Sequence, residues 1–206
     1  MRLPDPPLLV ISDRGQARRP LGAVAAAVFA GGCRWFSLRE KELPAAERSA
    51  LLGELVALGR RYGATIGIHE DIEAAIAAGA RALHVPSGAD PRAVRAKLPG
   101  ALIGASAHSA TEAAALLGAG ADYVTVSPVL LSASKPGYGP ALGIDGLASV
   151  VAHAPGPVVA LGGITAETAQ LCLSAGARGV AVMGEVMRAA DPQAAVERII
   201  AAISQK

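Results

Sequence analysis

The chain has 206 residues, of which 52% are hydrophobic, 17% charged and only 3% aromatic, and its formal net charge is +2. That length suits one domain with a core of Ala, Val, Leu and Ile, while the weak charge and scarce aromatics exclude a polyanionic or nucleic-acid partner. The opening MRLPDPP lacks a signal-peptide core, and no apolar run reaches the ~20 residues of a membrane span, so no membrane partner and a cytoplasmic location are expected.

The elements follow in chain order. LLVIS (8–12) is the first β-rich run. The longest apolar run, 22–32, leads to WFSLR (35–39). Apolar residues at helical spacing span 43–61, and TIGIH (65–69) follows. A second helical pattern covers 71–78, before ALHVP (82–86) and LIGAS (102–106). A third covers 111–117, before YVTVS (123–127). After a long loop come PVVAL (157–161), a helical pattern over 166–174, and GVAVM (179–183). Cys33 and Cys172, far apart in apolar surroundings, read as buried free thiols in a reducing compartment.

Alternating strand and helix patterns predict parallel strands joined by crossover helices. A partial repeat supports this: AGARALHV (78–85), AGADYVTV (119–126) and AGARGVAV (175–182) each end a helix in Ala-Gly-Ala and start a strand two residues later. Eight such strands predict an α/β fold, a single (β/α)8 TIM barrel spanning 1–206. The chain is short for that fold, typically ~250 residues. An open doubly wound sheet is the alternative.

In a barrel the active site lies at the C-terminal ends of the strands. Strand two ends in Arg39-Glu40-Lys41, two cations one residue apart that suit phosphate oxygens. Strand three ends in His69-Glu70-Asp71, with an acid for a hard cation and a helix cap. Strand four leads to Asp90, before Pro91, which also reads as a cap. Strand five ends in Ser106, an anion donor, and Ser109 with Glu112 reads as a capping box. The loop after strand six carries Ser132, Ser134 and Lys135 among Pro136, Gly137, Gly139 and Pro140. A loop that long in a compact fold usually carries function. Strands seven and eight end in Gly162-Gly163 and Met183-Gly184, where backbone N–H groups can approach a phosphate. This rim holds more positive charge than one phosphate monoester needs. It suits a diphosphate or two phosphorylated ligands, with Mg²⁺ bridging an acid and a diphosphate.

SLREKEL (37–43), IGIHEDIEAAIAAGA (66–80), IGASAHSATEAA (103–114), GADYVTVSPVLLSASKPGYGPALGIDGL (120–147), PVVALGGI (157–164) and GVAVMGEV (179–186) resemble thiamine-phosphate synthase and its sister, the thiazole tautomerase. The resemblance implies a transferase of thiamine biosynthesis. It couples a hydroxymethylpyrimidine diphosphate to a thiazole phosphate and releases pyrophosphate with Mg²⁺. It would place Arg39, Lys41, Ser106 and Lys135 on the diphosphate, Ser132 and Ser134 near the thiazole phosphate, and Gly162, Gly163, Met183 and Gly184 around that phosphate. Ser37 and His69 stand at substrate positions where the synthase has Gln and Asn. Glu70 would be one metal ligand, and Asp90, shifted by one position, the second. The run 86–90 looks more like the tautomerase, yet Pro128 replaces that enzyme's histidine. A tautomerase-like isomerase and a non-catalytic phosphate binder are therefore the alternatives. The sequence leaves the oligomeric state open, a homo-oligomer included.

Overall fold

A computed structural model describes residues 2–132 and 140–204. The chain runs β1 (Leu8–Ile11), α1 (Leu21–Ala30), β2 (Trp35–Leu38), α2 (Ala45–Arg61), β3 (Thr65–His69), α3 (Ile72–Ala78), β4 (Ala82–Val85), α4 (Pro91–Lys97), β5 (Leu102–Ala107), α5 (Ala110–Gly118), β6 (Tyr123–Val126), α6 (Gly143–His153), β7 (Val158–Leu161), α7 (Ala166–Ser174), β8 (Gly179–Val182), α8 (Gly184–Met187) and α9 (Pro192–Ser204). All eight strands are parallel and pair in sequence order. The ring closes through β1 and β8, with Leu8 opposite Val180 and Val10 opposite Val182. That last ladder decides for a TIM barrel against an open sheet. No helix among the described residues is long and apolar enough to cross a membrane.

Strand alternation sorts the core into two layers. Leu8, Val10, Phe36, Leu38, Ile66 and Ile68 point outward and pack with α1, α2 and the other helices. Leu9, Ile11, Trp35, Ala82, Leu102, Tyr123, Val159 and Ala181 point inward and plug the barrel. Trp35 and Tyr123 meet edge to face, with ring centroids 4.8 Å apart. The Tyr123 ring has room because Gly104 beside it carries no side chain: a Cβ there would fall 2.1 Å from Tyr123 Cζ. Every buried strand residue of Leu or Val size contributes ~1.5–3 kcal/mol through removal from water.

The helix ends obey local chemistry. Gly79, Gly120 and Gly176, the three glycines of the repeat, have φ of 66°, 96° and 95°. Only glycine enters that left-handed region without a Cβ penalty, so the repeat marks where each helix turns back toward the barrel. Asp71, Asp90 and Ser109 cap α3, α4 and α5 by accepting from Ala74, Arg92 and Glu112 amides at 3.0, 3.0 and 3.1 Å. Glu112 completes its turn on the His108 amide at 2.9 Å, one residue before the expected partner. Cys33 and Cys172 are buried free thiols, and burial pushes them up to about 12 and about 11.

Candidate active site

The C-terminal ends of all eight strands open into a cavity of about 560 Å³. Ile11, Arg39, His69, His84, Ser106, Thr125, Leu161 and Ala181 contribute one lining residue per strand or strand end. The barrel's inner plug forms the floor, and the loops form the wall.

Arg39-Glu40-Lys41 is positioned by its middle residue. Glu40 is 1% exposed. Its two carboxylate oxygens accept from the Arg14 amide at 3.2 and 3.1 Å. The Arg39 amide donates to Ser12 Oγ at 2.8 Å. Glu40 thus ties the loop after β2 to the loop after β1, and leaves the flanking Arg39 and Lys41 to line the cavity. Burial pushes the Glu40 carboxyl above its ordinary range.

The end of β3 is a strained turn. Glu70 has φ 68°, alone among the described non-glycine residues in being positive. A residue with a Cβ occupies that region at a cost of ~1–2 kcal/mol, and such strain gathers at functional sites. The Glu70 amide donates to the His84 carbonyl at 2.9 Å, which holds the turn. The Glu70 carboxylate lies in the cavity wall and pairs with Lys41. Asp71 serves the helix instead: it caps α3 and pairs with Arg48 at 2.7 Å. The Arg48 guanidinium holds the Asp71 carboxyl below its usual range.

Asp90 does not join Glu70. Its carboxylate accepts from the Arg92 amide at 3.0 Å, stands 3.7 Å from Arg92 Nε, and is absent from the cavity lining. Among the described residues there is no group of three or more His, Cys, Asp or Glu side chains able to hold a metal. Of the two expected ligands the cavity wall keeps Glu70, and Glu185 is its other carboxylate; such a donor set would fit Mg²⁺ only with oxygens of a bound phosphate ligand added. It does not fit a cage of protein ligands.

The floor carries a buried polar chain. His84 Nε2 lies 2.9 Å from Ser106 Oγ and 3.3 Å from Thr125 Oγ1, and His84 Nδ1 lies 3.3 Å from the Tyr123 hydroxyl. The His69 ring stacks on His84 with centroids 4.7 Å apart. Nε2 of His69 is enclosed and has no hydrogen-bond partner among the described residues. Burial, reinforced by Arg39 and Lys41, pushes His84 down to about 3. Burial, and then the neighbouring His84, push His69 well below its ordinary value. Both imidazoles are neutral at physiological pH.

A second arc lies at β7 and β8. Gly162 and Gly163 have φ of 100° and 65°. A Cβ added at Gly163 would lie 2.5 Å from the Leu131 carbonyl oxygen. The glycines let the loop after β6 close onto the turn, where the Val129 and Leu130 amides donate to the Leu161 and Gly162 carbonyls at 2.9 and 3.0 Å. Gly163, Ile164, Met183, Gly184 and Glu185 all line the cavity here. Among the described residues no backbone carbonyl engages the amides of Gly163 and Ile164.

Arg39, Lys41, Ser106, His69, Glu70, Ser132, Gly162, Gly163, Met183 and Gly184 therefore all line one cavity. Two expected positions do not. Asp90 caps α4 instead. Ser37 is 3% exposed and lies inside the barrel below the rim, because it shares the inward face of β2 with Trp35. Ser134 and Lys135 lie outside the described residues. The sequence reading missed His84, Thr125 and Arg188, which also line the cavity. Period-two alternation from Ala82 and Tyr123 would have turned His84 and Thr125 inward. One helical turn from Gly184 would have brought Arg188 back to the rim.

The sequence profile described as thiamine monophosphate synthase matches residues 8–186. A Geobacter sulfurreducens protein that carries a thiamine-phosphate synthase name is 40% identical over 197 residues, covering 94% of this chain and 92% of its own. The thiamine-phosphate synthase of Geobacillus kaustophilus is 37% identical over 192 residues, 91% of this chain and 87% of its own. The solved thiamine phosphate pyrophosphorylase from Pyrococcus furiosus superposes with a TM-score of 0.86 at 28% identity, covering 96% of this chain and 95% of that one. A closed barrel whose rim gathers Arg39, Lys41, Ser106 and the Gly162–Gly163 turn, and whose sequence matches that profile from β1 to α8, makes this chain a member of the thiamine-phosphate synthase family.

Proposed function

We propose that this protein is a transferase that joins a hydroxymethylpyrimidine diphosphate to a thiazole phosphate, releasing pyrophosphate. One observation supports the reading: a single cavity is lined on one side by Arg39, Lys41 and Ser106, from the ends of β2 and β5, and on the other by Gly162, Gly163 and Gly184, from the ends of β7 and β8. A reaction between two phosphorylated heterocycles needs both.

On the cationic arc Arg39, Lys41 and Ser106 hold the diphosphate, and the resemblance to the family adds Lys135 to that role. As the C–O bond to the diphosphate breaks, negative charge grows on the leaving oxygens. Fixed donors aimed at that charge lower the barrier more than mobile water does. On the other arc Gly162, Gly163, Met183 and Gly184 hold the thiazole phosphate through their backbone, with Ser132 and Ser134 beside it. The thiazole nitrogen then supplies the electron pair for the new C–N bond to the pyrimidine methylene carbon. Gripping both phosphates aligns the two carbon frameworks. Mg²⁺ held by Glu70 and the diphosphate oxygens would neutralise leaving charge. The substrates are small and phosphorylated, and the reading places the protein in the cytoplasm.

The test is coupled turnover. Purified protein given both substrates and Mg²⁺ is expected to release pyrophosphate and form thiamine phosphate, with neither substrate alone sufficient. Lys135→Ala is expected to abolish turnover. Isomerisation of a thiazole carboxylate phosphate without coupling would move the assignment to a tautomerase. Binding of thiamine phosphate without turnover would make the protein a binder.

A further inference from the structure

The polar chain on the barrel floor contains a proton assignment that bears on Ser106. Gly104 lies on the inward face of β5, level with His84 on one side and Tyr123 on the other. A Cβ there would fall 2.3 Å from the Tyr123 hydroxyl and 2.6 Å from His84 Nδ1. The missing side chain is what lets the hydroxyl meet the imidazole, at 3.3 Å.

Tyr123 is 1% exposed and His84 3%. Among the described residues the Tyr123 hydroxyl has no other hydrogen-bond partner. If Nδ1 carried a proton and donated it, the tyrosine proton would be buried without an acceptor, which is the costly arrangement. The tyrosine therefore donates and Nδ1 accepts. A neutral imidazole has one N–H, so the proton sits on Nε2. Nε2 faces Ser106 Oγ at 2.9 Å and Thr125 Oγ1 at 3.3 Å. Ser106 thus accepts from His84 and keeps its own proton for another partner. It lines the cavity with Arg39 and Lys41.

We propose that Tyr123, acting through His84, is a positioning residue that fixes Ser106 as a hydrogen-bond donor to the anionic oxygens of the ligand. Without Tyr123 the imidazole can place its proton on Nδ1 and accept from Ser106. The serine hydroxyl would then turn away from the anion. This rests on the reading of the β2–β5 arc as a diphosphate site, yet its test does not need turnover.

The experiment has two readouts on the intact chain. Nitrogen-15 spectra of histidine-labelled protein, with His84 assigned by comparison with His84→Gln, report which ring nitrogen is protonated. Wild type is expected to show Nε2–H alone, and Tyr123→Phe a mixture. Affinity for inorganic pyrophosphate, measured by calorimetry, is expected to fall about three- to ten-fold in Tyr123→Phe. It should fall further in Ser106→Ala, and no further in the double variant than in Ser106→Ala alone. A wild-type proton on Nδ1 overturns the proposal and requires no variant to fold. Additive losses in the double variant also overturn it. Pyrophosphate that does not bind wild type at all, with Nε2–H present, would leave the tautomer standing and sink the diphosphate site instead.

Discussion

Lys41 and Glu70, from the ends of successive strands β2 and β3, form an ion pair across the rim of the cavity. Under the proposed function, the cation that would meet an anion is here engaged by the acid that would meet a metal. Both side chains are about half exposed, 51% and 43%, so the pair is worth little by itself, ~0.2–1 kcal/mol. A pair this weak would open readily to the diphosphate and metal of the proposed reaction. Glu70→Gln is expected to raise pyrophosphate affinity two- to five-fold when Mg²⁺ is absent, because Lys41 is released. The same variant is expected to lose most of the gain that Mg²⁺ gives wild type. Calorimetry with and without Mg²⁺ checks both signs. An unchanged Mg²⁺ effect would remove Glu70 from the metal's ligands.

Glu40 is expected to matter as much as its two neighbours while touching no ligand. Its carboxylate holds the Arg14 amide at the entrance of the β1 loop. Glu40→Ala leaves that amide without its acceptor and opens a void beside Ser12, at a cost of ~1–3 kcal/mol. It also frees Arg39 and Lys41 to wander, so turnover should fall at least as far as in Arg39→Ala. Thermal unfolding and coupled turnover measured on the same preparation test this. A large loss of activity with no loss of stability would mean that Glu40 itself reaches the ligand.

Much of this was legible in the sequence, for physical reasons that differ by element. Each expected strand begins within a residue of an observed one because a strand buried on both faces is a near-continuous apolar run. β7, expected from Pro157, starts at Val158 because proline brings no N–H to a ladder. α7 was bounded correctly by Thr165 at its start and the Ala-Gly-Ala turn at its end. The cavity lining was legible close to the strand ends, as with Arg39, Ser106 and Gly163. It was illegible one layer deeper. His84 lies one residue inside β4, flanked by Leu83 and Val85, and a lone histidine in an apolar run carries no motif. Ser37, expected at a substrate position from the Arg-Glu-Lys resemblance, is buried on the inward face of β2 with Trp35 and does not line the cavity. Asp90 had two readings, metal ligand and helix cap, and the Pro91 beside it favours the cap.

The neutral histidines predict an acid-labile barrel. His84 titrates at about 3 in the folded protein, against 6.5 when unfolded. His69 shifts in the same direction. Below pH 6.5 the unfolded chain takes up protons that the folded chain refuses, so stability is lost as pH falls from 6.5 toward 3 and is unaffected above that window. Each pH unit across the gap is worth up to ~1.4 kcal/mol per group, and the stacked pair shares its titration. Urea midpoints measured from pH 7.5 to 4 are expected to drop steadily. In His84→Gln the slope should be shallower even though stability at pH 7.5 is lower. Equal slopes in the two proteins would place the acid sensitivity elsewhere.

Two glycines of the chain should respond oppositely to the same added methyl. At Gly163 the backbone has φ 65° and a Cβ would sit 2.5 Å from the Leu131 carbonyl oxygen and 2.7 Å from Leu130 Cβ. Gly163→Ala must strain the turn or push the β6 loop outward, at ~1–3 kcal/mol. Either response moves the amides of Gly163 and Ile164. Affinity for the thiazole phosphate should therefore fall ten-fold or more, while pyrophosphate, held on the other arc, binds as before. At Gly53, in the middle of α2, nothing lies within 4 Å of the added Cβ. Gly53→Ala is expected to raise stability by ~0.5–1 kcal/mol through helix propensity and leave both affinities unchanged. Calorimetry of both ligands against both variants separates the arcs. A parallel loss of the two ligands in Gly163→Ala would show that the β7 turn and the β2–β5 cations act as one site.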